Sequence, residues 1–80
     1  MKIERNITYY SRIDENLVGE YNIDNIDFLV LKTLITPPKE DPLLYNAYRI
    51  DEKLALKLRE EISFEFEFDK YDYFFECYQV

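Results

Sequence analysis

The chain opens with apolar and polar side chains in alternation, the pattern of a strand with one solvated face. This pattern predicts a strand over Lys2–Tyr10, with Arg5 as an exception on the inner face. The apolar residues predicted to face the core are Ile3, Ile7 and Tyr9. A return strand follows in LVGEYNI, residues 17–23, so the two strands form a hairpin. Gly19 lies in the middle of this second strand, which indicates a β-bulge or a close approach by another group.

Two later segments have the period of amphipathic helices. The first begins after Asp24 or Asn25 as N-cap, and it must end before Pro37 and Pro38, which cannot continue a helix. The second begins after Asp51 as N-cap, in EKLALKLREEI. The apolar stripes are Ile26, Leu29, Val30 and Leu34 in the first helix, and Leu54, Ala55, Leu58 and Ile62 in the second.

The closing segment SFEFEFDKYDYFFECYQV predicts two more strands, Ser63–Asp69 and Tyr71–Tyr78, joined by a tight turn. If its alternating phenylalanines face the core, the carboxylates between them face water. The opposite register would bury three unpaired carboxylates, at a cost on the order of several kcal/mol each. In the same phase, the last strand presents an outer face with aromatic and acidic side chains. These outer residues are Asp72, Phe74, Glu76 and Tyr78.

The element order predicts an α+β fold in a single small domain over residues 1–80. We expect a twisted antiparallel sheet of about four strands, with one or two short helices packed on one face. The segment YNAYRI, residues 45–50, is a possible short strand. A chain of 80 residues has no room for a second domain.

Charge is unevenly distributed along the chain, whose formal net charge is −7. The residues from Glu60 to Val80 include seven acids and one base, Lys70. Such a field repels nucleic acid phosphates and speeds encounter with a basic surface, so we expect a cationic protein partner and no binding to nucleic acid. The sequence contains no apolar stretch long enough for a membrane span. A single cysteine, Cys77, suits a reducing compartment, and the cytoplasm is the expected location.

Catalysis has little support in the sequence. The chain has no histidine, no glycine-rich phosphate loop, and one cysteine that the strand phase places on the inner face. We therefore expect no enzyme activity, no cofactor and no metal site. A face with alternating acids is often merely solvated, since charges discourage sheet aggregation. An outward Phe74 among carboxylates instead favours a protein interface, where aromatic side chains supply affinity and charges steer association.

Three segments together resemble a known family. ITYYSRIDENLVGEY has an aromatic pair, Tyr9 and Tyr10, and places Gly19 before Glu20; LKTLITPP is a helix ending in a short proline turn. The third segment is AYRIDEKLALKLREEISFEFEFDKYDYFFEC, which includes the pair YF. In these segments, and in length and acidity, the chain is similar to the cloacin-type immunity proteins, which protect bacteria from colicin-like ribonucleases.

The resemblance implies a four-stranded antiparallel sheet whose open face binds the basic C-terminal nuclease domain of a toxin. Inhibition would be stoichiometric in a one-to-one complex, with specificity set partly near Ala47. The other partner-binding residues that it implies are Glu65, Glu67, Phe74, Glu76, Tyr78, Tyr10, Thr8 and Glu20. An alternative that uses the same surface is an acidic nucleic-acid mimic or regulatory module that binds another basic protein.

Overall fold

A computed structural model describes residues 2–79. Its elements, in chain order, are β1 (Ile3–Ser11), β2 (Leu17–Asn22), α1 (Phe28–Ile35), β3 (Tyr48–Ile50), α2 (Glu52–Leu58) and β4 (Tyr71–Gln79). The strands of this part of the chain form one antiparallel sheet in the order β2-β1-β4-β3. The α+β class, with an antiparallel sheet of four strands and two helices, is confirmed.

The core lies between one face of the sheet and the two helices. Ile7 of β1 is directly opposite Phe75 of β4, and both are buried. They belong to the same cluster as Leu31 of α1 and Leu58 of α2. Burying a large apolar side chain contributes about 1.5 to 3 kcal/mol, so the predicted inward phase of β1 and β4 is what holds the helices on this face. We call the other side of the sheet the open face.

Gly19 lies next to a register shift and is closely approached by another side chain, as the sequence predicted. The β1–β2 register shifts between Tyr9 and Tyr10, next to the pairing of Tyr9 with Gly19. The Tyr9 ring lies over the glycine, where a Cβ atom would come within 2.5 Å of the Tyr9 hydroxyl oxygen and 2.7 Å of Cζ. The missing side chain is therefore what lets the tyrosine cross β2.

Gly19→Ala is expected to destabilise the domain by about 1 to 3 kcal/mol, the usual cost of overpacking. The Tyr9 ring cannot move freely, because it packs against Phe64, Tyr71 and Tyr73 with centroids 5.4–5.8 Å away. Urea denaturation measures the loss. The destabilisation caused by Gly19→Ala should be smaller when Tyr9 has been replaced by leucine. If the effects of Gly19→Ala and Tyr9→Leu on the free energy of unfolding are fully additive, the Tyr9 contact is not the cause.

Both helices begin at an aspartate cap. The side chain of Asp27 accepts a hydrogen bond from the Leu29 N–H at 2.8 Å, so α1 starts later than the sequence predicted. The predicted stripe is shifted as a result: Leu31 is buried, whereas Leu29 is 69% exposed. The Asp51 cap of α2 is confirmed, with Leu54 N–H as donor at 2.8 Å.

The predicted strand Ser63–Asp69 is wrong. Residues 62–67 belong to no strand, although their side chains alternate between half-buried phenylalanines and exposed acids. Residues 63–68, which we call the aromatic segment, lie over the inner face of the sheet instead of pairing with it. Phe64 contacts Tyr21 at 4.9 Å, and Phe66 contacts Tyr73 at 4.9 Å between ring centroids. The edge of β4 that a hairpin would need is occupied by β3.

Candidate functional site

The strand register assembles the open face from four strands. Thr8 of β1 has Glu20 of β2 on one side and Phe74 of β4 on the other, and Phe74 is in turn opposite Arg49 of β3. The same phase holds along the sheet except at the start of β2, where the register shift sets Leu17 opposite Tyr10. The side chains that share the open face are Glu4, Asn6, Thr8, Tyr10, Leu17, Glu20, Asn22, Arg49, Asp72, Phe74, Glu76 and Tyr78.

A carboxylate surrounded by hydroxyl groups lies at the centre of this face. Glu76 Oε2 accepts hydrogen bonds from Thr8 Oγ1 at 2.7 Å and from the Tyr10 hydroxyl at 3.5 Å. The Tyr78 hydroxyl donates to the same oxygen. Burial, together with this bond to Glu76, raises the pKa of Tyr78, so its hydroxyl stays protonated as a donor at neutral pH. We call Thr8, Tyr10, Glu76 and Tyr78 the hydroxyl–carboxylate cluster.

The cluster fixes the Glu76 carboxylate while leaving one of its oxygens available. The three donors all reach Oε2, and no donor among residues 2–79 reaches Oε1. Among the described residues, Arg5 Nε is the one side-chain polar atom that is buried without a hydrogen-bond partner. Glu76 Oε1 also has no partner in this part of the chain, so it must be accessible to solvent. Glu76 therefore presents an oriented, unpaired oxygen to a cation from outside.

Phe74 lies beside the cluster and is partly exposed. The Tyr10 ring meets it edge-on, with centroids 5.7 Å apart. On the β3 side, the Arg49 guanidinium lies 5.8 Å from the Phe74 centroid and 3.0 Å from the Asp72 carboxylate. The ring is thus held between an aromatic edge and a guanidinium, an arrangement that preorganises it for contact.

A shallow depression of about 460 Å³ opens beside Phe74. Its lining includes Tyr10, Glu15, Ala47 and Glu76, so it reaches from the β1–β2 turn to the residue just before β3. Ala47 is exposed, and because its side chain is small it does not block access to the depression from this side. Three of the predicted partner-binding residues, Ala47, Phe74 and Glu76, therefore line the same depression.

Asp41 holds the segment that leads to Ala47. It is only 5% exposed, and it accepts hydrogen bonds from the Tyr45 and Asn46 N–H groups at 2.9 and 3.0 Å and from the Tyr48 hydroxyl. The Tyr48 hydrogen bond lowers the pKa of Asp41. Burial and the bond to Asp41 raise the pKa of Tyr48 to about 12. The loop between α1 and β3 is therefore organised around one carboxylate.

Asp41→Asn should lower the melting temperature by about 5 °C or more, because an amide cannot accept all three hydrogen bonds. The wild-type contribution of Asp41 is fully present above its unfolded pKa, near 3.8, and is lost as the pH falls through the lowered folded value. Thermal melts at pH 7 and pH 2.5 test this. The gap between wild type and variant should narrow at pH 2.5, and an equal gap at both values would contradict the role of the ionised group.

The structure places the predicted partner-binding residues on two different sides of the domain. Thr8, Tyr10, Glu20, Phe74, Glu76 and Tyr78 share the open face as predicted, with Ala47 at its border. The predicted position of Glu65 and Glu67 on this face is wrong. They belong to the aromatic segment, whose phenylalanines point at the inner face, so both glutamates are exposed on the helix side.

The acidity of the closing segment is also more dispersed than its sequence indicates. Of the seven acids between Glu60 and Val80, the strand register places Asp72 and Glu76 on the open face. Asp72 is partly neutralised there by Arg49 at 3.0 Å and by Arg12 at 3.7 Å. The face is therefore moderately acidic, and its charge is centred on Glu76.

The site also includes Arg49, Asp72 and Glu15, which the sequence did not predict as site residues. Asp72 was in the correct phase, but its ion pairs depend on how β3 and the β1–β2 turn meet β4, which no local pattern encodes. Glu15 has a left-handed backbone, with φ of 61°, in the turn between β1 and β2. The polar residues around it indicate a turn, but they do not indicate that its side chain borders the depression.

A match to a protein family extends over nearly the whole chain. The family described as a domain of unknown function, DUF7683, matches residues 4–76. The chain belongs to this family. The match runs from the start of β1 to Glu76 in β4, so the DUF7683 region contains most of the open face. Searches of curated proteins and of solved structures find no match to the chain.

Two further features of residues 2–79 concern metals and membranes. This part of the DUF7683 chain contains no group of three or more His, Cys, Asp or Glu side chains arranged to hold a metal ion. Neither α1 nor α2 is long and apolar enough to cross a membrane.

Proposed function

We propose that this protein binds a cationic protein domain through its open face and inhibits it stoichiometrically. The observation that carries the proposal is the centre of that face, where the Phe74 ring lies beside the oriented carboxylate of Glu76. Protein interfaces combine these two elements, a partly buried aromatic anchor and a charge that chooses the partner. Two close hydroxyl donors, Thr8 and Tyr78, orient the Glu76 carboxylate, with the Tyr10 hydroxyl at 3.5 Å, and this preorganisation supports a binding role for the face.

The proposed partner is a bacterial nuclease toxin domain, most specifically a ribonuclease, and the protein is then its immunity protein in the cytoplasm. This choice follows from the resemblance of the first hairpin and the closing half to cloacin-type immunity proteins. The open face is the surface for which the resemblance implies binding. Its strands carry four carboxylates, against the guanidinium of Arg49 and that of Arg12, which also pairs with Asp72. Inhibition by such a face would exclude RNA from a basic groove without any chemistry.

The test is capture of the C-terminal domain encoded by the neighbouring upstream gene, at low and high salt. We expect a one-to-one complex that weakens as salt rises and in which RNA cleavage stops. Glu76→Lys should reduce capture strongly. The matched control is Glu65→Lys, the same charge change at an exposed glutamate on the helix side, which should leave the lifetime of the complex unchanged.

A complex that still cleaves RNA would refute inhibition, and absence of capture would refute the nuclease as partner. Capture that is lost equally with both lysine variants would show that net charge alone, and not the open face, is responsible. Capture of an unrelated basic domain with the same Glu76 dependence would favour the regulatory alternative.

A further inference from the structure

The depression beside Phe74 has a lining of unusual chemical composition. One part of it is aromatic, formed by Tyr10 and Phe74, and another is acidic, formed by Glu15 and Glu76. A third part is the ion pair of Arg49 with Asp72. The two aromatic rings are already in edge-to-face contact, and Glu76 is already held by its hydroxyl donors. Little rearrangement is therefore needed before a ligand can bind.

The acidic groups of the depression differ in whether they already have a cationic partner within the chain. Asp72 has two arginine partners within the chain. Glu76 keeps Oε1 without a donor among residues 2–79, and Glu15 is exposed at the opposite border. The lining as a whole has three acids against one base, so the depression keeps a negative charge after the ion pair is counted, next to an aromatic surface.

A guanidinium of the chain itself already contacts this aromatic surface. Arg49 places its guanidinium 5.8 Å from the Phe74 centroid while it pairs with Asp72. A planar guanidinium can contact a ring and bind a carboxylate at the same time, whereas an ammonium is a compact, strongly hydrated point charge. The combination of ring and carboxylate is repeated in the depression by Phe74 and Glu76.

We propose that the depression is a binding site for an arginine side chain supplied by the partner. The guanidinium would contact the Phe74 and Tyr10 rings, donate to Glu76 Oε1, and lie within the field of Glu15. Ala47 forms the low border over which the side chain enters. The identity of the partner rests on the proposed function, but the preference for arginine rests on the lining alone.

The probes are the capped peptides acetyl-Gly-Arg-Gly-amide and acetyl-Gly-Lys-Gly-amide, titrated into the 15N-labelled protein and followed by NMR. The arginine peptide should shift the amide signals of Tyr10, Ala47, Phe74 and Glu76, and should bind roughly fivefold more tightly than the lysine peptide. Equal affinity for the two peptides, or shifts confined to other surfaces, would overturn the proposal.

Two variants separate the specific site from general attraction. Glu76→Gln removes the charge but keeps an amide oxygen that Thr8 and Tyr78 can still reach, and it should weaken arginine binding about fivefold or more. Glu65→Gln removes the same charge on the helix side and should leave binding unchanged. Equal weakening by both variants would overturn the site.

This experiment can fail independently of the proposed function. If the arginine peptide binds as expected but the toxin domain is not captured, the site stands and the nuclease assignment falls. If the toxin domain is captured through the open face but the peptides do not distinguish arginine from lysine, the arginine site falls and the proposed function stands.

Discussion

Tyr73→Ala should lower the free energy of unfolding by about 3 to 5 kcal/mol, the range for removing a large buried aromatic side chain. Tyr73 is 2% exposed and is the common neighbour of the aromatic cluster on the inner face. The rings that contact it, with centroids 4.9–6.2 Å away, belong to Tyr9, Phe64, Phe66, Phe68 and Tyr71. Its loss would therefore free the aromatic segment from the sheet.

The hydroxyl group of Tyr73 has a second role. It accepts a hydrogen bond from the Glu67 N–H at 2.7 Å, which satisfies a backbone donor in a segment without strand partners. Tyr73→Phe keeps the ring and removes only this acceptor, so it should cost about 1 kcal/mol. Urea denaturation followed by circular dichroism measures both variants, and the phenylalanine variant remains informative if the alanine variant is too unstable to fold. A similar loss in both would show that the hydrogen bond, not ring packing, dominates.

The behaviour of the aromatic segment shows what strand-like alternation in a sequence does and does not encode. The spacing of Phe64, Phe66 and Phe68 correctly predicted which side chains face the core. It did not predict backbone pairing, because alternation records side-chain burial and says nothing of which strand edge is free. Here β3 pairs with Tyr73–Phe75 and occupies that edge. The position of Glu65 and Glu67 was wrong for the same reason.

The open face was predictable where a single strand determined it. The outward phase of Phe74, Glu76 and Tyr78 follows from alternation along β4, and the structure confirms it. The convergence of three hydroxyl groups on one oxygen of Glu76 was not predictable, since it depends on the register between β1 and β4. Helix starts were similarly sensitive: the sequence predicted Asp24 or Asn25 as the cap of α1, whereas the structure uses Asp27.

Phe74→Ala should weaken binding of the captured partner by about 2 kcal/mol or more, roughly thirtyfold, as removal of an interface hot spot does. The Phe74 ring is partly exposed in the free protein, so binding of the partner can bury the rest of it. Because a desolvated anchor holds a complex together, the loss should appear mainly in the dissociation rate. Surface plasmon resonance against the immobilised partner domain resolves the two rates.

The matched control for Phe74→Ala is Leu56→Ala. Leu56 is a 64% exposed apolar residue on α2, so its truncation removes apolar surface from the helix side without touching the open face. It should leave both rate constants unchanged, and thermal melts should show that both variants remain folded. Unchanged affinity in the Phe74 variant would exclude this ring from the interface. A loss confined to the association rate would instead assign Phe74 to the encounter and leave the hydroxyl–carboxylate cluster as the anchor of the complex.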